Sequence, residues 1–378
     1  MGSVKKEKNG TYTVRYDIYE NGERKQKKKR GFQLQGKAKS FLNKMENDIE
    51  EGEYIIDSNT LFTKYVEDWI DREYTKKVEL GQVKPATEEF YLNLFNQRFK
   101  DYFLTDKLQT ISSKKISAYI SFLLEQGLKT NTVLTHFKAI RTVMKYAVKH
   151  RDIKRNPMDI LTPPKYSKPI IKYWEPEIID TALKLFEGSD IEFHVQFILF
   201  TALREGEVCG LHEDFFNFRK MEFMLSEQAQ QVRKKGLVFL DPKSWASKST
   251  MMMNPEIAQL AKKQIMKVKT DRIKYDGAYC EDYLGRLSVR KDGTLIRPKA
   301  LYHEFSKILK GQEEIPYITV HGLRHTSAVW HLSNDTDMKT LQMILRNAEY
   351  KVTTDTYGDA SKKMVKNAVS KMSLKSLK

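Results

Sequence analysis

Apolar and polar positions alternate from residue 12 onward, with Tyr12, Val14, Tyr16 and Ile18 on one side and polar residues between them. Period two over this length predicts a half-buried strand. Asn21-Gly22, within "ENGE", supplies a hairpin turn. The return strand, "RKQKKKRGF", is too densely charged to face a core. The period then changes to that of a helix: in "GKAKSFLNKMENDIEEG", Phe41, Leu42, Met45 and Ile49 form one stripe and Gly52 is the stop. Residues 58–160 keep the helical period throughout. "SNTLFTKYVEDWIDREY" opens on capping residues and "KPATEEFYLNLFNQRFKDYF" has Pro85 near its first turn. "SSKKISAYISFLLEQG" ends in Gly127, and "TNTVLTHFKAIRTVMKYAVKH" opens on a Thr/Asn cap. The spacing of Val133, Phe137, Ile140, Val143, Met144 and Ala147 predicts a bundle whose aromatic stripes are core.

Pro157, Pro163, Pro164 and Pro169 then break the pattern, as in a linker. Beyond residue 170 helices mix with short strands. "EPEIIDTALKLFEG" and "IEFHVQFILFTA" read as helices, the second apolar all round and therefore buried. "DFFNFRKMEFMLS" and "GLVFLD" read as strands, and "NPEIAQLAKKQIMKVK", "PKALYHEFSKILKG" and "VHGLRHTSAVWHLS" as helices. The expected fold is α+β and multidomain: a small sheet with one helix, an all-helical domain, and a mainly helical domain with a small antiparallel sheet. No repeat, P-loop, GxGxxG or Asp-rich metal loop is visible.

Composition adds a polyanionic partner to this picture. The 378 residues exceed one core, and 40% hydrophobic with 30% charged residues is a globular balance. No apolar run approaches the roughly 20 residues of a membrane span, and the basic N-terminus has no apolar signal region, so an intracellular protein without membrane contact is expected. Cys209 and Cys280 are too few for a disulfide framework or a multi-cysteine metal site. The net charge is +17, and residues 1–40 hold twelve basic and four acidic side chains. Such a field attracts nucleic acid by counterion release. Arg15, Arg24, Lys25, Lys27, Lys28, Lys29 and Arg30 would then belong to a β-sheet reader of a DNA groove, with a merely solvated strand face as the alternative.

Candidate chemistry lies in the C-terminal half. In "TVHGLRHTSAVW", His321, Arg324 and His325 share one helical face, an expensive cluster unless it meets an anion. The acid of an HExxH zinc site is missing, since residue 322 is Gly. Arg204 follows a fully apolar helix, and Glu207 lies three residues on. Two arginines on one anionic centre suit a phosphoryl group, because each guanidinium offers a bidentate fork. Lys243, in a turn between strand-like runs, is either solvated or a third cation. Tyr357 is the candidate covalent nucleophile.

"TALREGEVCGL", a turn lysine, "HGLRHTSA" and a tyrosine after an "LLGH"-like helix together resemble the tyrosine recombinase (phage integrase) family, most firmly over residues 170–360. The basic N-terminal piece resembles the arm-type DNA-binding domain of integrases from conjugative transposons and temperate phages, and the helical piece their core-binding domain. The resemblance implies domains at 1–56 (arm-type), 57–160 (core-binding), a linker at 161–170, a catalytic domain at 171–360 and a subunit-docking tail at 361–378. It implies a site-specific recombinase that integrates and excises a mobile element through a 3′-phosphotyrosyl intermediate. Arg204 and Arg324 match the two catalytic arginines, His321 the histidine of HxxR, Lys243 or the nearby Lys248 the strand-turn lysine, and Tyr357 the nucleophile. Glu207 matches the acid behind the first arginine, and His325 stands in the same supporting position. Asn347, ten residues before Tyr357, occupies a place where the family has His or Trp: "LGH" becomes "LRN". Duplex DNA at core and arm sites, a homotetramer on DNA, an excision accessory protein and a DNA-bending protein are the implied partners. No cofactor or metal is implied, and the bacterial cytoplasm is the implied location. A type IB topoisomerase and a non-catalytic DNA-binding regulator are the rivals.

Overall fold

The alternating stretch at the N-terminus forms the strand its period predicts, β2 (Tyr12–Glu20), flanked by β1 (Ser3–Lys6) and β3 (Glu23–Phe32) in an antiparallel sheet of order β1-β2-β3. The computed structural model describes residues 2–20, 23–52, 54–55, 58–232, 236–240, 249–347, 349–351, 353–354 and 356–357. The Asn21-Gly22 turn, Lys243, Lys248 and the 361–378 tail lie outside the described residues. Contacts divide the chain into two units, Met1–Lys168 and Pro169–Lys378.

In the first unit, Val14, Tyr16 and Ile18 pack on Ala38 and Leu42 of α1 (Gln35–Glu50), and Gly52 takes φ +67° just beyond the helix. β1 has no signal in the apolar pattern; it pairs with β2 through its backbone. The basic run does not form one face. Cross-strand partners share a side of a sheet, so Lys25, Lys27 and Lys29, opposite Ile18, Tyr16 and Val14, lie on the α1 side. Arg24 and Lys28, opposite Tyr19 and Arg15, lie on the other. Lys29 caps the Phe41 ring at 4.6 Å, Arg24 pairs with Asp17 at 2.6 Å, and Arg30 is exposed beside a register shift.

The remainder of that unit is helical: α2 (Phe62–Ile70), α3 (Lys76–Glu79), α4 (Pro85–Leu94), α5 (Gln97–Tyr102), α6 (Ser113–Glu125) and α7 (Thr130–Lys149). The apolar stripe of α7 is buried as its spacing requires, against an aromatic core of Phe62, Phe99, Phe103 and Tyr119. Capping is less regular than the sequence suggests. Ser112 accepts from the backbone N–H of Lys115, but the residues preceding α2 and α7, Leu61 and Lys129, provide no side-chain cap. Ser58 and Thr60 bond each other instead, at 2.6 Å. Residues 161–175 carry neither helix nor strand.

The second unit surrounds α9 (Glu192–Thr201), which is apolar on every side and buried almost throughout. Packed against it are α8 (Ile179–Lys184), α10 (Glu205–Cys209), α11 (Pro255–Tyr275) and α13 (Val320–Ser333), while α12 (Pro298–Leu309) and α14 (Met338–Leu345) pack on α13. Among the described residues two small antiparallel sheets complete it: β4 (Phe216–Asn217), β5 (Glu222–Leu225) and β8 (Ser249–Met252), and the pair β6 (Gln228–Val232) and β7 (Gly236–Leu240). The "REGEVCG" glycines have a steric reason. A Cβ on Gly206 would lie 2.9 Å from the Ala229 carbonyl, and one on Gly210 3.0 Å from β6 backbone, so both let α10 sit directly on that strand. The fully buried Trp174 donates its indole N–H to the Pro316 carbonyl (3.0 Å), while its backbone N–H reaches Thr326 on α13 (3.0 Å).

Phe305 is fully buried, with its ring stacked on Phe186 at 5.1 Å. Phe305→Ala should cost about 3–5 kcal/mol in the unfolding transition of this unit, read by urea titration of tertiary signal with the helical unit's transition unmoved.

Candidate active site

Arg324 sits in α13 with only 4% of its surface exposed, so its guanidinium must be satisfied from within the protein. The partners are the ends of two helices. α9 stops because Ala202 turns left-handed (φ 52°), and α14 stops because Arg346 does the same (φ 51°). Each turn leaves terminal carbonyls without intrahelical donors. Nη1 of Arg324 donates to the Ala202 carbonyl and Nη2 to the Leu345 carbonyl. A helix C-terminus carries partial negative charge, so two such ends suit a buried cation. Nη2 also reaches Oδ1 of Asn347 at 3.3 Å. Burial, together with the nearby Arg204 and Arg346 charges, pushes the Arg324 pKa down to about 9, so it remains a cation at neutral pH.

Arg204 follows α9 by three residues and begins α10. Its Nη1 donates to Oε1 of Glu207 at 2.8 Å, and its backbone N–H to Oε2 at 2.8 Å. Its side chain keeps 29% exposure, whereas that of Glu207 keeps 1%. Burial alone would raise the Glu207 carboxyl pKa, but the charges of Arg346 and Arg204 outweigh it and hold the group below the usual carboxylate range. Arg346 supplies the second of those charges, its Nη2 standing 2.6 Å from Oε2.

Tyr357 has both a packing role and a chemical one. Its ring joins Ala202, Ala328, Val329, Leu332, Leu341 and Leu345 in a cluster drawn from other elements, and 5% of the residue is exposed. Its hydroxyl lies 2.6 Å from Nδ1 of His325. Burial raises the phenol pKa to about 12, with Arg324 opposing, and lowers that of His325 to about 4, with His321 and Arg324 adding to the shift. At neutral pH the pair is therefore phenol and neutral imidazole, and with the ring proton on Nε2 the phenol donates to Nδ1. His321 is exposed and edge-on to His325, with ring centres 4.8 Å apart. Thus His325, and not His321, touches the tyrosine hydroxyl.

Both ends of the Asn347 amide are engaged: besides accepting from Arg324, its Nδ2 donates to Oγ1 of the buried Thr353 at 3.1 Å. The structure therefore brings together Arg204, Glu207, His321, Arg324, His325, Asn347 and Tyr357 in one unit. Among the described residues, no group of three or more His, Cys, Asp or Glu side chains could hold a metal. Two further residues of the site are not among the sequence candidates: Thr353, which carries no signal, and Arg346, which carries the same signal as Arg204, a cation directly after an apolar helix.

Residues 168–364 match the phage integrase family, residues 61–166 its SAM-like domain and residues 3–49 an arm DNA-binding domain. Among curated relatives, a XerC-like tyrosine recombinase of Caldanaerobacter subterraneus subsp. tengcongensis is 25% identical over 76% of this chain and 77% of its own. The ICEBs1 integrase of Bacillus subtilis is 22% identical over 73% and 74%. Among solved structures, the Tn1549 transposon integrase in complex with transposon right-end DNA superposes with TM-score 0.64 at 19% identity, covering 79% of this chain and 98% of that one. A lambda integrase tetramer bound to a Holliday junction gives 0.53 at 13%, covering 92% and 95%. At these identities the two structures show a common fold. Among the described residues no helix is long and apolar enough to cross a membrane.

The low pKa of His325 has a consequence for stability. The unfolded imidazole takes up its proton near pH 6.5 and the folded one only near 4, so the unfolded state binds more protons between those values and stability falls as pH drops through that window. His325→Gln should flatten part of this loss, measured as thermal midpoint against pH from 7 to 4.

Proposed function

The chain belongs to the phage integrase family, and from that premise we propose that it cuts and rejoins DNA through Tyr357, with Arg204 and Arg324 holding the scissile phosphodiester. As a tyrosine recombinase it acts in site-specific integration and excision of mobile elements. The assignment rests on the Tyr357 hydroxyl, 2.6 Å from a neutral imidazole and near the buried Arg324.

Tyr357 attacks phosphorus, an Oη–P bond forms, and the bond from phosphorus to the 5′-oxygen breaks, leaving a 3′-phosphotyrosyl link. The phenol proton passes to Nδ1 of His325. Burial makes that imidazole a weak base, and charges at His321 and Arg324 add to the shift. A bound phosphodiester offsets those charges and brings its basicity closer to what transfer needs. Arg204 and Arg324 stabilise charge on the nonbridging oxygens, where preorganised donors act most strongly. Lys243 or Lys248 protonates the leaving 5′-oxygen, and His321, at the exposed edge of the cluster, donates to the phosphate. A 5′-hydroxyl from another strand then reverses the step, so the bond energy stays in the protein link and no cofactor is consumed. Asn347 orients Arg324 through Oδ1 and secures residue 353 through Nδ2. The arm-type sheet and the helical domain hold arm and core sites, and a homotetramer working with an excision accessory protein and a DNA-bending protein completes the reaction.

The test is a nicked suicide duplex carrying the element's own end. Wild type should form a covalent adduct that Tyr357→Phe abolishes, and Arg324→Ala should slow it by roughly 10²–10³-fold; absence of any wild-type adduct sinks the assignment. Recombinant product separates recombination from topoisomerase-like relaxation. Asn347→Ala should lower the cleavage rate and Asn347→His recover part of it; if His neither changes the wild-type rate nor exceeds Ala, the residue has no part in the site. On arm-type DNA, Lys28→Ala should reduce the slope of log affinity against log salt by about one, measured by titration at several salt concentrations.

A further inference from the structure

Arg346 is a cation in a place that resists one. It follows the last residue of α14 at φ 51°, a conformation that achiral glycine enters freely and L residues reluctantly, and it stands at the glycine of the "LGH" pattern. Its side chain is 3% exposed. Nη2 donates to Oε2 of Glu207 at 2.6 Å, and Nη1 lies 2.9 Å from Sδ of Met251 and 3.2 Å from its own turn's Ile344 carbonyl. Nε is buried with no hydrogen-bond partner.

These contacts place one carboxylate between two guanidiniums. Oε1 of Glu207 takes Arg204 and Oε2 takes Arg346, while Arg324 is close enough for both to depress its pKa. Three arginines therefore face a single acid, an excess of two positive charges that is unfavourable until an anion arrives. A residue serving only to end α14 would be glycine, and one serving only to fill space beside Met251 would be apolar.

We propose that Arg346 is a positioning residue for strand cleavage: it grips the second oxygen of Glu207, so fixing the aim of Arg204, and through Met251 it ties that aim to β8. The strand β8 follows residues 241–248, which include both candidate lysines, directly in the chain. Arg346 touches no substrate; it acts through Glu207. The inference rests on the reading of Arg204 as a phosphodiester ligand.

The test uses full-length protein and the suicide duplex at saturating DNA, in single turnover. Glycine fits the left-handed turn, so Arg346→Gly should keep its thermal midpoint and its DNA affinity while the cleavage rate falls by roughly tenfold to a hundredfold, the scale of a misaimed group. Arg346→Lys, which keeps a donor and a charge for Glu207, should recover most of that rate. Glu207→Gln should lose a similar factor, and the double variant Glu207→Gln with Arg346→Gly should be little slower than either single one. Wild-type cleavage by Arg346→Gly overturns the proposal, and so do losses that multiply in the double variant or a Lys variant no better than Gly. If wild type itself forms no adduct, the covalent reading fails and takes this inference with it; an intact wild-type adduct with an unaffected Gly variant overturns this inference alone.

Discussion

The site depends on keeping the Arg324 guanidinium charged inside the protein. Removing a charge of that kind from water is affordable only when its donors are met, and the donors here are met by backbone. Carbonyls at the ends of α9 and α14 cannot be supplied by side-chain choice; they exist because each helix stops in a left-handed residue. One buried cation thus fixes where two helices end. Those endings fix the chain that follows: Arg204 three residues after α9, and Asn347 two residues after α14.

Around that anchor the electrostatics are deliberately incomplete. Glu207 neutralises one arginine's worth of charge among three. Burial is the main reason that Arg324 and Arg346 are pushed down in pKa and that His325 stays neutral, and neighbouring arginine charge adds to each shift. In the proposed reaction a phosphodiester supplies the missing negative charge and is held most tightly where charge grows during attack. The cost of an unbalanced site falls on the free protein, and the surrounding apolar cluster, to which the Tyr357 ring itself belongs, sustains it.

Much of this was legible in the residues. Period-two alternation identified β2, the three-and-four spacing identified α7 and its buried face, and an all-apolar run identified α9 as central. Each rests on local burial, which a single chain records directly. The weaker readings concern features that need a partner. β1 and β6 are held by ladders rather than by their own apolar pattern, and the caps expected before α2 and α7 are displaced by other bonds of the same hydroxyls or are absent. The basic run of β3 is too densely charged to face a core, yet only its register shows that alternate charges lie on opposite sides.

Residue types and their order set which chemical groups are available: a tyrosine, arginines beyond apolar helices, paired histidines and a strong positive field. Residue types and their spacing are local facts, and they point to phosphoryl chemistry without coordinates. Which histidine meets the tyrosine is settled by the three-dimensional fold, since His321 and His325 share a helical face and packing across α13 alone separates them. That fold alone brought Arg346 to Glu207 across 139 positions of chain. Distance in sequence carries no record of such a meeting; the two helix ends that Arg324 gathers bring it about.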